Sequence, residues 1–422
     1  MPRLLDDCFA TDKTRLRHDE ALALLKSRLG PVVNAETVPL AEAAGRILAE
    51  TVTAPRPVPL ADNAAVDGYA FAHEDYVAHG GRLRVSARIA AGHPSGAELE
   101  PGAAARIFTG GVMPGRADTV AMQEDVRVHE EDGASHVIVP EGLKRGANRR
   151  KAGEDLAEGA LMLEPGRRLR PQDVAALASI GRDQVRCFER LRVALVSTGD
   201  EIVRPGAPLG PGQVYDANHY LLAALLEALG AEITDLGIAP DREDAVARLL
   251  AETAASHHAV VISGGASRGE EDHVVRVLDA LGRRHLWQLA VKPGRPMSFG
   301  QIGHCAVLGL PGNPVAAMVC FVLYARPALE RLGGAAWREP PRFPVPADFE
   351  MRKKADRREF LRGILARDAA DRVIVRKYPR DGSGLITSLR EADGLIELPE
   401  ETTEVAPGDL VAFVPFSELG VP

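Results

Sequence analysis

From Leu191 to about Gly334 the chain alternates strand-like runs with helical ones, and that rhythm leaves few folds open to it. LRVALVS, AEITDLGI, HAVVIS, LWQLAV and CAVLGL read as strands, and stretches such as NHYLLAALLEALG and DREDAVARLLAETAAS read as the helices between them. This alternation calls for a parallel sheet with helices on both faces. In such sheets ligands bind where loops leave the carboxyl ends of the strands. Here those loops are STGDE, APDRED, SGGASRGEED, VKPGRP and LPGNP, all rich in Gly, Pro and acids.

The flanking segments have other textures. HDEALALLKSRLG places Leu22, Leu25 and Leu29 at helical spacing, with Gly30 as an expected left-handed stop. LAEAAGRILAE reads as a second short helix. The Pro-rich APRPVPLAD then breaks the pattern, and from Arg82 to Pro140 come short alternating runs (RLRVSARIA, AARIF, HVIVP) separated by Gly and Pro. Helical character returns in PQDVAALASIG, where Pro171 suits a first turn and Gly181 an end. Beyond Gly334 the pattern is β again (EFLRGILAR, RVIVRKY, GLIELPE, DLVAFVPF), with Pro407, Gly408 and Asp409 as a turn. The expected fold class is therefore α/β plus β in several domains. They are an N-terminal helical part from residues 1–55 and 141–188, a small β-domain inserted at 56–140, an α/β domain at 189–335 and a barrel-like β-domain at 336–422.

Composition narrows the class of ligand. A length of 422 residues with 45% hydrophobic side chains allows several domains. No apolar run reaches the roughly 18 residues that span a bilayer, and acids near the N-terminus oppose a signal peptide, so a cytoplasmic protein without a membrane partner is expected. Cys8, Cys187, Cys305 and Cys320 are far apart, with no CxxC pair for zinc. A formal charge of −8 argues against broad binding to nucleic acid. A small molecule is the favoured partner.

The loops suggest its chemistry. STGDE offers Ser197, Gly199 and Glu201 after a strand, and SGGASRGEED offers Gly264, Gly265, Ser267 and Asp272 between a strand and a helix. Glycines let backbone approach a ligand, and a helix N-terminus presents unpaired amides to an anion. Phosphate or oxyanion binding is one reading; Gly-rich turns that only join strands to helices are the other. Asp67, Asp155, Glu201, Asp241 and Asp272 each lie in or beside a turn. Acids alone repel phosphate, so a site holding both needs Mg²⁺. Carboxylates also accept the paired N–H donors of a heterocyclic ring, and Asp241 with Asp244 resembles a capping box. Lys292 and Arg295 flank the turn VKPGRP, while Arg149, Arg150 and Lys151 read more simply as a solvated run. In LPGNP, Pro311 and Pro314 stiffen a strand exit before a helix whose Met318, Cys320 and Phe321 belong to the core and whose Pro327 marks a kink.

Seven motifs now stand in order: DNAAVDGYA (Asp62 to Ala70), RIFTGGVMPGRADTVAMQE (Arg106 to Glu124), GANRRKAGED (Gly146 to Asp155), STGDE, SGGASRGEED, KPGRP and LPGNP. In this order and spacing the chain resembles the molybdopterin molybdenumtransferase family, to which the C-terminal domain of gephyrin also belongs. The resemblance implies a four-domain subunit in a homodimer, binding adenylylated molybdopterin and molybdate and releasing AMP with Mg²⁺. It implies that Asp67 and Thr109 of one subunit act in trans. Family functional positions fall on Asp67, Thr109, Asp155, Glu201, Asp241, Asp272, Lys292, Pro311, Pro314, Arg362 and Ser383, each with the expected residue type. Two positions depart: Gln288 stands where the family often has lysine, and Arg268 where a small apolar residue is usual.

On this reading Glu201, Asp241 and Asp272 are the metal ligands, and Lys292 stabilises charge on phosphate oxygens as the anhydride breaks. Asp67, Thr109 and Asp155 complete the catalytic set. Ser197, Gly199, Gly264, Gly265, Ser267, Arg295, Pro311, Pro314, Arg362 and Ser383 bind substrate. Other proteins of molybdenum-cofactor biosynthesis are further partners. Tungstate remains an alternative to molybdate, since the two dianions are nearly equal in size and charge. A scaffold role and the adenylylation of molybdopterin are the rival functions. All five acids are retained, which a scaffold does not require, and the extra β-domains argue against the adenylylating enzyme.

Overall fold

A computed structural model describes residues 16–421 except 95, 97, 132, 265–272 and 295. The chain forms two compact units, one from residues 1–49, 165–170 and 184–422, the other from residues 50–164 and 171–183.

In the first unit a six-stranded sheet runs in the order Glu232–Ala239, Arg192–Thr198, Ala259–Ser263, Cys305–Leu310, Pro296–Ile302 and Arg283–Gln288. The first four strands are parallel, and the last two are antiparallel additions. The wholly parallel sheet expected from the alternation is thus corrected at one edge. PMSFGQI forms an unanticipated hairpin strand with CAVLGL. LWQLAV is also not one strand: Arg283–Gln288 stays in this sheet, whereas Val291–Lys292 pairs with Arg358–Glu359 of the next one. Leu289 and Ala290 between them are buried, so no polar break announces the switch.

Apolar runs buried on both faces explain three of the four parallel strands, the edge strand Glu232–Ala239 being only partly buried. Val193 and Leu195 pack with Leu222, Leu226 and Phe321 on one side, while Ala194 and Val196 pack with Val246, Leu250 and Leu278 on the other. The helix Ala217–Leu229 starts under the Asp216 carboxylate, which accepts from the His219 N–H at 3.0 Å. The helix Glu243–Ala254 starts differently. Its cap is Arg242 and its Asp244 pairs with Arg242, so the expected Asp241–Asp244 capping box does not form.

Further corrections concern helix ends. His18–Arg28 stops at Leu29 in an extended conformation, and Gly30 has no positive φ. LAEAAGRILAE yields only one 3₁₀ turn, Leu40–Glu42, after which Ile47 and Leu48 bridge to Arg168 and Cys187. The irregularity assigned to Pro327 lies just before it, where Phe321–Ala325 is π-helical between Pro314–Cys320 and Arg326–Leu332. Pro327 has no N–H to donate back into that segment.

The C-terminal sheet of this unit runs Val291–Lys292, Arg358–Arg367, Gly394–Leu398, Leu410–Pro415, Phe343–Pro346, with Val373–Lys377 beside Arg358–Arg367. One isolated bridge, Ala347 to Val375, joins its ends, so it curls in a barrel-like manner without a continuous closing ladder.

The second unit is built on a six-stranded sheet in the order Thr119–Met122, Gly68–Phe71, Ala103–Ile107, Arg82–Ile89, Ala134–Ile138, Arg127–Glu131. Alternation sends Phe71 and Leu83 to one face and Ala70 and Ile89 to the other, and each face has its own apolar cluster. Among the described residues no helix is long and apolar enough to cross a membrane.

Candidate active site

In the first unit a cleft of about 1030 Å³ opens beside the carboxyl ends of Arg192–Thr198, Ala259–Ser263 and Cys305–Leu310. Its walls include Ser197, Gly199, Glu201, Asp241, Gly264, Lys292, Pro311 and Pro314 from the α/β part, and Arg362 and Ser383 from the C-terminal β-part. The remaining sequence-selected residues divide into two groups. Gly265, Ser267, Asp272 and Arg295, with Arg268, lie outside the described residues. Asp67, Thr109 and Asp155 belong to the second unit.

The strand exits are locked to one another. Gly264 has φ +87°, and a Cβ there would stand 2.5 Å from the Thr198 carbonyl oxygen, so only glycine lets the two loop backbones lie this close. Thr198 Oγ1 donates to the Ser263 carbonyl at 3.3 Å. Asn218, in the first turn of its helix, donates to Ser263 Oγ at 3.0 Å and to the Gly312 carbonyl at 2.7 Å. One buried amide therefore holds two loops from separate strands in register. Sequence reading missed Asn218; its only signal was a polar residue following Asp216 at the start of an apolar helix.

The VKPGRP turn is pressed against the helix that follows LPGNP. Gly294 has φ +102°, and a Cβ there would come within 2.5 Å of Cys320 Sγ. The Cys320 thiol donates to the Gly294 carbonyl at 3.3 Å, and burial pushes its pKa well up. Lys292 thus projects from a fixed backbone, with 43% of its side chain exposed and Nζ 3.5 Å from Glu359 Oε2. Glu359 is buried and is also paired with Arg357 at 2.6 Å.

Arg362 lines the cleft and also ties part of its wall together. It is buried, donating to Ser388 Oγ at 3.1 Å and to the Arg380 carbonyl at 2.8 Å, and burial pushes its guanidinium pKa down. These bonds hold the loop that carries Ser383. The Ser383 carbonyl accepts from the Val315 N–H at 3.0 Å, which seats that loop on the turn after Pro314. Ser197 Oγ is buried and without a partner among the described residues, an unused hydroxyl in the cleft wall.

Two carboxylates of the cleft, Glu201 and Asp241, offer hard oxygen donors of the kind Mg²⁺ takes. The described acids of the cleft form no three-ligand cluster.

In the second unit Asp67 and Thr109 meet directly. One Asp67 carboxylate oxygen accepts from both the N–H and the hydroxyl of Thr109, each at 2.7 Å. The Thr109 N–H, then its hydroxyl, hold the Asp67 pKa below the ordinary carboxylate value. The motif loops around them are stitched together: Arg149–Arg150 pairs with Asn63–Ala64, and Asp62 accepts from the Ala152 N–H at 2.8 Å. Asp155 is exposed, its N–H donating to the Val58 carbonyl at 3.0 Å.

Comparison with known proteins supplies an independent line. Residues 16–181 match the model of the MoeA N-terminal region (domain I and II), residues 194–331 a probable molybdopterin binding domain, and residues 344–416 the MoeA C-terminal region (domain IV). The chain is 36% identical over 402 residues to a molybdopterin molybdenumtransferase of Haemophilus influenzae, covering 95% of this chain and 98% of that one. It is 34% identical to its namesake in Nostoc sp., covering 91% and 89%. A crystal structure of a molybdopterin biosynthesis MoeA protein from Pyrococcus horikoshii superposes with a TM-score of 0.79 at 28% identity, over 95% of this chain and all of that one.

Proposed function

The chain belongs to the molybdopterin molybdenumtransferase family, transferases of molybdenum-cofactor biosynthesis, and from that premise we propose that its cleft joins molybdate to adenylylated molybdopterin with release of AMP. The observation that carries this reading is the gathering of Ser197, Gly199, Glu201, Asp241, Gly264, Lys292, Pro311, Pro314, Arg362 and Ser383 around one cleft of about 1030 Å³. That volume suits a pterin with its nucleotide, and ordinary ligand pockets run from roughly 300 to 1,000 Å³.

Backbone from Gly199, Gly264 and the LPGNP turn lines the cleft where anionic groups would lie. Lys292 supplies a positive charge to phosphate oxygens as the anhydride bond breaks, and its fixed backbone keeps that charge in place beforehand. Glu201 and Asp241, joined by Asp272, would hold Mg²⁺, which neutralises developing phosphate charge when bound. Arg362 orients the Ser383 loop. Asp67, Thr109 and Asp155 are further functional residues, carried by the second unit. The protein works as a cytoplasmic homodimer with other cofactor-biosynthesis proteins as partners, and its working domains are residues 1–55 with 141–188, 56–140, 189–335 and 336–422.

The test is incubation of the purified protein with adenylylated molybdopterin, Mg²⁺ and either molybdate or tungstate, followed by AMP assay and metal analysis of the pterin. AMP release together with metallated pterin is expected, and absence of both rejects the function. Asp272→Asn at limiting Mg²⁺ is expected to release no AMP; normal release removes Asp272 from the metal set.

A further inference from the structure

The second unit carries a cluster of metal-ligating side chains that the proposed reaction does not use. The strands Arg127–Glu131 and Ala134–Ile138 pair antiparallel, with Glu131 opposite Ala134. In that register His129 faces His136 directly, and Glu131, two residues beyond His129, shares that face. The imidazole rings stack with centroids 5.7 Å apart. One ligand atom from each of His129, Glu131 and His136 lies within 4.8 Å of the other two.

We propose that His129, His136 and Glu131 form a surface site for a borderline d-block dication, Cu²⁺ or Zn²⁺, clamping the two outer strands of this sheet. The hydrogen bonding supports the assignment. His136 Nδ1 lies 3.2 Å from the Ala134 carbonyl, and a carbonyl only accepts, so Nδ1 carries the proton. The Nε2 lone pair is thereby left for a metal, with a backbone carbonyl fixing the tautomer, which is the usual support of a ligating histidine. His129 presents Nε2 3.4 Å from Glu131 Oε2, so its nitrogen and the carboxylate converge on one place. Imidazole nitrogens select Cu²⁺ and Zn²⁺ over Mg²⁺ or Ca²⁺, which prefer oxygen. Three protein ligands leave a position for water, as in open zinc sites.

Arg82 sets the limit on affinity. It is ion-paired with Glu131, so it orients the carboxylate while placing a positive charge beside the cation. That charge weakens the binding of either dication, and Cu²⁺ binds more tightly than Zn²⁺ because affinities of nitrogen sites for these ions follow the Irving–Williams order.

The experiment titrates the whole protein with CuCl₂ or ZnCl₂ alone in a non-coordinating buffer, by calorimetry and, for copper, by electron paramagnetic resonance. Wild type is expected to bind one ion per chain, with copper hyperfine structure from two imidazole nitrogens. His129→Gln and His136→Gln should each weaken binding by at least about tenfold, the lower end of what losing even a supporting group costs a metal site. Arg82→Gln should tighten it. Isotherms of both histidine variants that overlay wild type, or a copper spectrum without two-nitrogen coupling, overturn the proposal. These side chains are partly or fully exposed, and Glu131→Gln, which keeps size and shape, serves as the alternative variant if a histidine change lowers thermal stability.

Discussion

Thr109 spends two donors on a single oxygen of Asp67, its N–H and its hydroxyl each reaching that oxygen at 2.7 Å. This doubly bonded acid is fixed in direction and biased toward its charged form, which is what a group that orients a ligand needs. Thr109→Val removes the hydroxyl and keeps the N–H. The Asp67 carboxyl, followed by carbon NMR through an acid titration, should then titrate at higher pH than in wild type, because one of the two interactions that lower its pKa is gone. An unmoved titration would show that the hydroxyl does not hold the carboxylate. Asp67→Ala should remove most AMP-releasing activity with little change in melting temperature, the side chain being only partly covered.

Lys292 and Glu359 form an ion pair at 3.5 Å that is unequal in burial, 43% of the lysine side chain being exposed against 1% of the glutamate. Removing the lysine does not strand the glutamate, because Arg357 remains 2.6 Å from it. Lys292→Met should therefore change stability by no more than about 1 kcal/mol, as for other partly exposed pairs. Its effect on kcat/KM for AMP release should be on the order of 10²–10³, the loss expected when one preorganised charge or donor is withdrawn from a transition state. A full-activity variant would place Lys292 outside the chemistry.

What was legible in the sequence, and what was not, follows from the range of each signal. LRVALVS, HAVVIS and CAVLGL declare themselves through buried apolar runs, AEITDLGI, an edge strand only partly buried, through its place in the alternation, and the Gly/Pro loops after the first three line one cleft. The helical reading of LAEAAGRILAE failed because local propensity favoured a helix, whereas pairing of Ile47 and Leu48 with distant residues holds that backbone extended. The division of LWQLAV could not be read because Leu289 and Ala290 at the break are themselves apolar and buried, and only partners far along the chain decide which sheet each half joins. Arg362 was singled out by residue type alone, and its bonds to Ser388 and Arg380 are visible only once those residues are folded beside it.

Asn218 is the functional contribution that sequence reading overlooked. Asn218→Leu removes both donors and leaves the Gly312 carbonyl and Ser263 hydroxyl without that partner, at a cost of roughly 1–3 kcal/mol for a buried group left unpaired. The looser register of the two loops should raise the concentration of adenylylated molybdopterin needed for half-maximal AMP release. Denaturant unfolding and steady-state kinetics on the same preparation check the two effects together, and wild-type values for both would remove Asn218 from its bridging role.

His18 predicts how stability depends on pH. It is buried against Phe360 and Tyr324, with Nδ1 2.7 Å from the Tyr324 hydroxyl and no partner for Nε2 among the described residues. Burial, reinforced by the Arg358 charge, lowers its pKa from 6.5 to about 3. The folded protein therefore refuses a proton that the unfolded chain accepts below pH 6.5. The stability conferred by the neutral imidazole is intact above that value and is lost progressively as pH falls from 6.5 toward 3. At about pH 5, some 1.5 pH units into this window, the loss from His18 alone is roughly 2 kcal/mol at 1.36 kcal/mol per unit. His18→Gln keeps a hydrogen-bonding group for Tyr324 but has nothing to titrate. Between pH 7 and 5 its unfolding free energy should fall by about 2 kcal/mol less than that of wild type, although its stability at pH 7 is lower. Parallel pH profiles for the two proteins would mean that His18 is protonated, and paired, in the folded state.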